Sequence, residues 1–154
     1  MKAIKIVLLG LLAALVIIQF IRPARNKSES ASANEITKVL VVPDSVRTIL
    51  HNACYDCHSN NTSYPWYSNI QPVAWYLAND IKKAKEQLNF DDFAGYPVRR
   101  QRGKLSAIAD EVDGNGMPLP SYRLMHKNAR LSQDEKAHLI NWAQHSQDIL
   151  PGEQ

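Results

Sequence analysis

Hydrophobic and polar positions follow two regimes along this chain. From Ile6 to Ile18 every residue is Ala, Val, Ile, Leu or Gly, and Gln19-Phe20-Ile21 carries the run to Arg22. Counted from Ala3, with Lys5 free to snorkel, the run is about the length a helix needs to cross a hydrocarbon core of ~30 Å. Residues 1–22 are therefore expected to form a single N-terminal transmembrane helix, an uncleaved signal anchor. A cleaved secretory signal competes, but the nearest small-x-small site, Ala31-Ser32-Ala33, lies well past the run and behind Arg22-Pro23-Ala24-Arg25. Residues 23–38 are polar, small and without periodicity, which reads as a flexible linker.

Beyond residue 38 the pattern becomes helical. Val46, Ile49, Leu50 and Ala53 fall on one face after Pro43-Asp44-Ser45. Pro72 suits the first turn of a second helix, with a stripe of Val73, Leu77, Ile81, Ala84 and Leu88. A third stripe, Val98, Leu105, Ile108, Ala109 and Val112, follows Pro97 and is stopped by Asp113-Gly114-Asn115-Gly116. Ser132-Gln133-Asp134-Glu135 is a capping box opening a last helix with Ala137, Leu139, Ile140, Trp142 and Ala143. Sustained two-residue alternation and internal repeats are both lacking. The pattern predicts an all-α domain over 39–154, built of four or five short helices.

Candidate chemistry concentrates in Cys54-Tyr55-Asp56-Cys57-His58, which holds the only two cysteines of the chain. Two thiols three apart with a histidine directly after is the spacing for covalent attachment of a c-type haem. The thiols add to the two vinyl groups of one porphyrin, and the adjoining imidazole lies under the iron. A lone disulfide would close a very small loop and leave His58 unexplained. A zinc site lacks an obvious fourth ligand, and a thioredoxin-like dithiol wants a βαβ setting. The motif thus predicts one haem c, covalent through Cys54 and Cys57, with His58 as an iron ligand. It turns the expected fold into a small cytochrome c-like helical domain, in which the porphyrin supplies an apolar centre that so small a core would otherwise lack.

A sixth ligand to such an iron is Met, His or nothing. Met117 is the leading candidate, since Gly114-Asn115-Gly116-Met117-Pro118-Leu119-Pro120 offers a thioether on a loop stiffened by prolines. Met125 and His126 are the runners-up, whereas His51 reads as a surface residue or a support behind the ligands, and His138 and His145 read as surface residues. Trp66, Trp75, Tyr64, Tyr67 and Tyr76 are core aromatics or flank the porphyrin. Arg99, Arg100, Arg102 and Lys104 read as a solvated basic face, one or two of whose arginines could pair with propionates or steer an acidic redox partner.

Formal net charge is +3, which two haem propionates bring close to neutral, so nothing calls for nucleic acid. Because haem c is attached outside the cytoplasmic membrane, the domain is expected on the periplasmic side of the inner membrane, held by a single pass. The expected partners are haem, the membrane through the N-terminal helix, and an unidentified redox protein. No catalytic constellation stands out beyond the haem, so no enzymatic activity is expected.

Over about residues 40–148 the chain resembles a bacterial family, the haem-binding domain family of small, often membrane-anchored CxxCH proteins. The likeness rests on Cys54-x-x-Cys57-His58-Ser59-Asn60, Thr62, Tyr64-Pro65-Trp66-Tyr67, Pro72, Trp75 and Leu88-Asn89-Phe90. It continues through Met117-Pro118, Tyr122, His126, Ala129-x-Leu131-Ser132 and Trp142. The resemblance implies c-type haem binding, with Cys54 and Cys57 as covalent sites, His58 as proximal and Met117 as distal ligand. Here Met-Pro-Leu-Pro stands where the family form is Met-Pro-Pro. Relatives occur fused or adjacent to haem peroxidase-like proteins. Two functions are therefore in view: a tethered single-haem electron-transfer module with His/Met ligation, and a haem enzyme or sensor subunit, peroxidase-associated or gas-binding, with an open distal position.

Overall fold

A computed structural model describes residues 1–28 and 30–151. Glu29, within the expected linker, and the last three residues of the expected domain lie outside the described residues. Those described form seven α-helices: α1 (Lys2–Ile18), α2 (Asp44–Ala53), α3 (Tyr55–His58), α4 (Val73–Gln87), α5 (Val98–Asp113), α6 (Pro120–Met125) and α7 (Gln133–Ile149). Short 3-10 turns join several of them, and no strand occurs among the described residues. The four apolar stripes read from the sequence become α2, α4, α5 and α7. Two helices were not foreseen: α3, a single turn carrying the cysteine motif, and α6, which starts on Pro120 where the fixed φ suits a first turn.

The expected transmembrane helix is not there. No helix among the described residues is long and apolar enough to cross a membrane. The apolar run stays helical only to Ile18, so α1 has 17 residues, or about 26 Å at 1.5 Å per residue. The run breaks at Gln19, whose side-chain amide donates to the Leu15 carbonyl (2.9 Å) and whose Oε1 accepts from the Gln71 backbone N–H (2.9 Å). Those bonds fasten the end of α1 to the loop before α4. None of the residues of α1 is buried.

The stretch read as a linker is laid against the domain. Asn26 accepts from Lys85 Nζ (2.7 Å), donates through Nδ2 to the Ser59 carbonyl (2.8 Å) and Thr62 Oγ1 (2.9 Å), and its backbone N–H donates to the Tyr64 hydroxyl (2.6 Å). Further on, Ala94 N–H donates to the Asn34 carbonyl (2.8 Å), and Ile36 is fully buried. Polar composition suggested a free chain because its hydrogen-bond partners lie 30 to 60 positions away, where no local pattern can show them.

Leu105, Ala109 and Val112 of α5 join Leu139, Trp142 and Ala143 of α7 in one core, which α2 completes with Val46, Ile49 and Leu50. The α7 capping box forms as expected: Ser132 Oγ accepts from Glu135 N–H (3.2 Å), and the Glu135 carboxylate accepts from Ser132 N–H (2.8 Å). Gln101 is buried on the core face of α5, where the sequence offered no apolar residue. Its amide donates to the Tyr96 carbonyl (2.8 Å), so the polar group is satisfied and holds the preceding turn. The α4 stripe is narrower than predicted: Val73 is exposed, while Ala74 and Ile81 are buried, because α4 packs on α3 and the Trp66–Asn69 turn rather than on the main core. Leu105 is fully buried between the major helices. Leu105→Ala is expected to destabilise the fold by about 2–5 kcal/mol, the cost of a buried Leu truncation with its residual cavity, as measured by denaturant unfolding.

Candidate functional site

The motif sits where two helical segments meet. Cys54 N–H donates to the Leu50 carbonyl (2.8 Å), closing the last turn of α2, and the Cys54 carbonyl accepts from both Cys57 N–H (3.1 Å) and His58 N–H (2.9 Å). Cys54, Cys57 and His58 are thereby held on one backbone turn, and Ser59 leaves it in extended conformation. The loop beyond is fixed from both ends. Thr62 Oγ1 donates to the Asp56 carbonyl (2.6 Å), and Asn60 N–H donates to Asp91 Oδ2 (2.6 Å).

His58 Nδ1 lies 2.9 Å from the Leu88 carbonyl. A carbonyl only accepts, so Nδ1 carries the proton and Nε2 keeps its lone pair for a metal. Burial pushes the imidazole pKa below its ordinary value, against a smaller upward influence of the Leu88 and Ala84 carbonyls. The ring is therefore neutral at pH 7, the form that ligates. Phe90 meets it edge-on at 6.3 Å and stacks on Tyr55 at 4.9 Å.

Beside this turn is a cavity of about 280 Å³. Cys54, His58, Met117 and Pro118 line it, with Leu88 and Phe90 from the stretch between α4 and α5. Ala53 and Gln87 also line it, and the face of α5 contributes Lys104, Ala107, Ile108, Glu111 and Val112. Three of the four predicted site residues thus share one cleft. Cys57, half-buried on the same turn, does not line it. The Met117 loop is brought there by the close of α5: Met117 N–H donates to the Glu111 carbonyl (3.1 Å), just after Asn115 turns the chain at φ 59°.

The runners-up for the sixth ligand are placed elsewhere. His126 Nε2 is 2.6 Å from the Tyr67 hydroxyl, and its ring stacks on Tyr122 at 4.1 Å. Met125 is exposed at the end of α6, and neither residue lines the cleft. His51 stacks on Tyr55 at 4.4 Å and is exposed, as are His138 and His145. Sequence reasoning missed the polar cluster behind the motif, in which Tyr122 donates to Asp56 Oδ2 (2.7 Å) and Ser63 N–H donates to Asp56 Oδ1 (2.9 Å). Burial, then the Asp56 carboxylate, raises the Tyr122 phenol well above its ordinary range, so it stays a donor. Only the carboxylate inside the motif itself hinted at this cluster, since Tyr122 lies 66 positions away.

Both cysteines are free. Burial, then the neighbouring Cys57, pushes the Cys54 thiol up to about 12, and burial with Asp56 and Asp80 pushes Cys57 up to about 11. A redox dithiol needs the opposite shift. Nor does any group of three or more His, Cys, Asp or Glu side chains among the described residues lie close enough to hold a metal ion. The donor set instead suits a porphyrin: neutral thiols, an imidazole with a free Nε2, a thioether, and an apolar wall. At about 280 Å³ the cleft is smaller than most ligand pockets.

Fold and site together define an all-α protein with a porphyrin-compatible cleft beside a CxxCH turn. The chain belongs to the haem-binding domain family, whose model matches residues 13–145, and it is a haem-binding protein. The match begins inside α1 and takes in the docked segment that follows. Neither the curated proteins nor the solved structures contain a match to the chain.

Proposed function

We propose that this chain is a single-haem electron-transfer module, with haem c attached through Cys54 and Cys57 and its iron held between His58 and Met117. The observation that carries the reading is one cleft lined by Cys54, His58 and Met117, with His58 Nδ1 engaged by the Leu88 carbonyl. When bound, the haem supplies one-electron ferric/ferrous chemistry. The residues then have separate tasks. The Leu88 carbonyl fixes the His58 tautomer and ring and raises its basicity as a ligand. Phe90, Ile108 and Val112 exclude water and lower the local dielectric, which disfavours the more charged ferric state and raises the potential. Met117, on the same cleft as His58, would supply the second iron ligand, so that little need rearrange when an electron moves. Attachment of haem c outside the cytoplasmic membrane makes the domain an exported one under this reading.

Carbon monoxide separates a carrier from an enzyme or sensor. The ferrous matured protein is expected to titrate reversibly with one electron per chain and to bind carbon monoxide slowly and incompletely at neutral pH. Rapid stoichiometric binding would mean an open distal position and would favour the peroxidase-associated or gas-binding alternative.

A further inference from the structure

We propose that Lys104 is the cation that holds the haem propionates. The proposal rests on the haem reading above and adds a propionate partner to it.

Two side chains with formal charge line the cleft, Lys104 and Glu111. Their spacing places them on one face of α5, with Ala107 and Ile108 between them. At 1.5 Å per residue they are about 10 Å apart along the axis. The wall facing the porphyrin therefore has a cationic end, an apolar middle and an anionic end. Haem c is just as asymmetric, with thioethers at one edge and two carboxylates at the opposite one. In a cleft of lowered dielectric, propionates beside Glu111 would be repelled, and beside Lys104 attracted. The Glu111 end is also where the Met117 loop returns, through the bond from Met117 N–H to the Glu111 carbonyl (3.1 Å).

Lys104 is suited to the task by what it lacks. It is half-buried, and no carboxylate of the described residues lies within ion-pair distance of it. Arg100 lies one turn earlier on the same face, its guanidinium 4.2 Å from the Tyr96 ring, and extends the positive end outward. This charge order is not a device for stabilising the helix. The first turn of α5 has no acid and the last no base, the reverse of what a helix dipole favours. A cationic start and an acidic close are instead what an anionic ligand at the Lys104 end would require.

The test uses the full matured chain, shown to carry covalent haem by its pyridine haemochrome. In the diamagnetic ferrous state, nuclear Overhauser contacts are expected between the propionate methylene protons and the Lys104 side chain. Contacts from those protons to Glu111 or to the Met117 loop, without Lys104, would overturn the assignment. Lys104→Glu is expected to lower the midpoint potential and shift the propionate Raman band, with Lys104→Arg close to the parent. A Lys104→Glu protein with both readouts unmoved would overturn the proposal as well. A chain without covalent haem would instead fail at the haemochrome step, and the haem reading would fall with it.

Discussion

Replacing Met117 with alanine is expected to turn a low-spin haem into one that is high-spin or carries an exchangeable ligand. Met117 lines the same cleft as His58, whereas the competing donors are committed elsewhere: His126 to Tyr67 and Tyr122, Met125 to solvent. With the thioether removed, Cys54 and His58 are the side chains with a sulfur or imidazole left lining the cleft. Carbon monoxide should then bind the ferrous protein rapidly and stoichiometrically. The midpoint potential should fall by on the order of 0.1 V or more, a fraction of the ~0.8 V over which axial ligation sets haem potentials. Electronic absorption in both redox states checks the spin change directly. A Met117→Ala protein that keeps the parent spectrum would move the sixth ligand away from this loop.

The second large effect concerns attachment. Cys54→Ser with Cys57→Ser is expected to remove all covalently held haem, so that acid–acetone extraction strips the colour completely. Each single variant should retain haem through its remaining thioether, with a haemochrome band between those of doubly attached and unattached haem. The structure treats the two cysteines unequally, since Cys54 lines the cleft and Cys57 does not. Cys54→Ser is therefore expected to lose more haem during maturation than Cys57→Ser. Equal yields from the two variants would show that the turn re-orients when haem enters.

Much of this was legible in the sequence where the signal is local. The CxxCH spacing, the four apolar stripes and the Ser132–Glu135 capping box each lie within one or two helical turns, and each appears where the pattern placed it. The loop that carries Met117 was legible for a related reason, since Gly116 and Pro118 mark it as irregular, and the structure brings it to the cleft. What stayed hidden depends on distant partners. The Leu88 carbonyl that orients His58, the Tyr122–Asp56 bond and the docking of Asn26 all join residues 30 or more positions apart. The N-terminal helix shows the limit of composition. Hydrophobicity measured the run from Ala3 to Ile21, but Gln19 ended the helix early by bonding to Gln71, and composition carries no information about that contact. Lys104 illustrates a different limit, because a basic run reads as solvated surface until one member is seen to line a cleft.

The central claim is that Cys54, Cys57 and His58 form a covalent haem site, and one measurement meets it directly. The full chain, matured in a host with c-type haem assembly, is denatured in alkaline pyridine and its reduced spectrum recorded. The account predicts the haemochrome of a doubly thioether-linked haem, one per chain, surviving prior acid–acetone extraction. A spectrum of unattached haem, or a colourless protein, would contradict it.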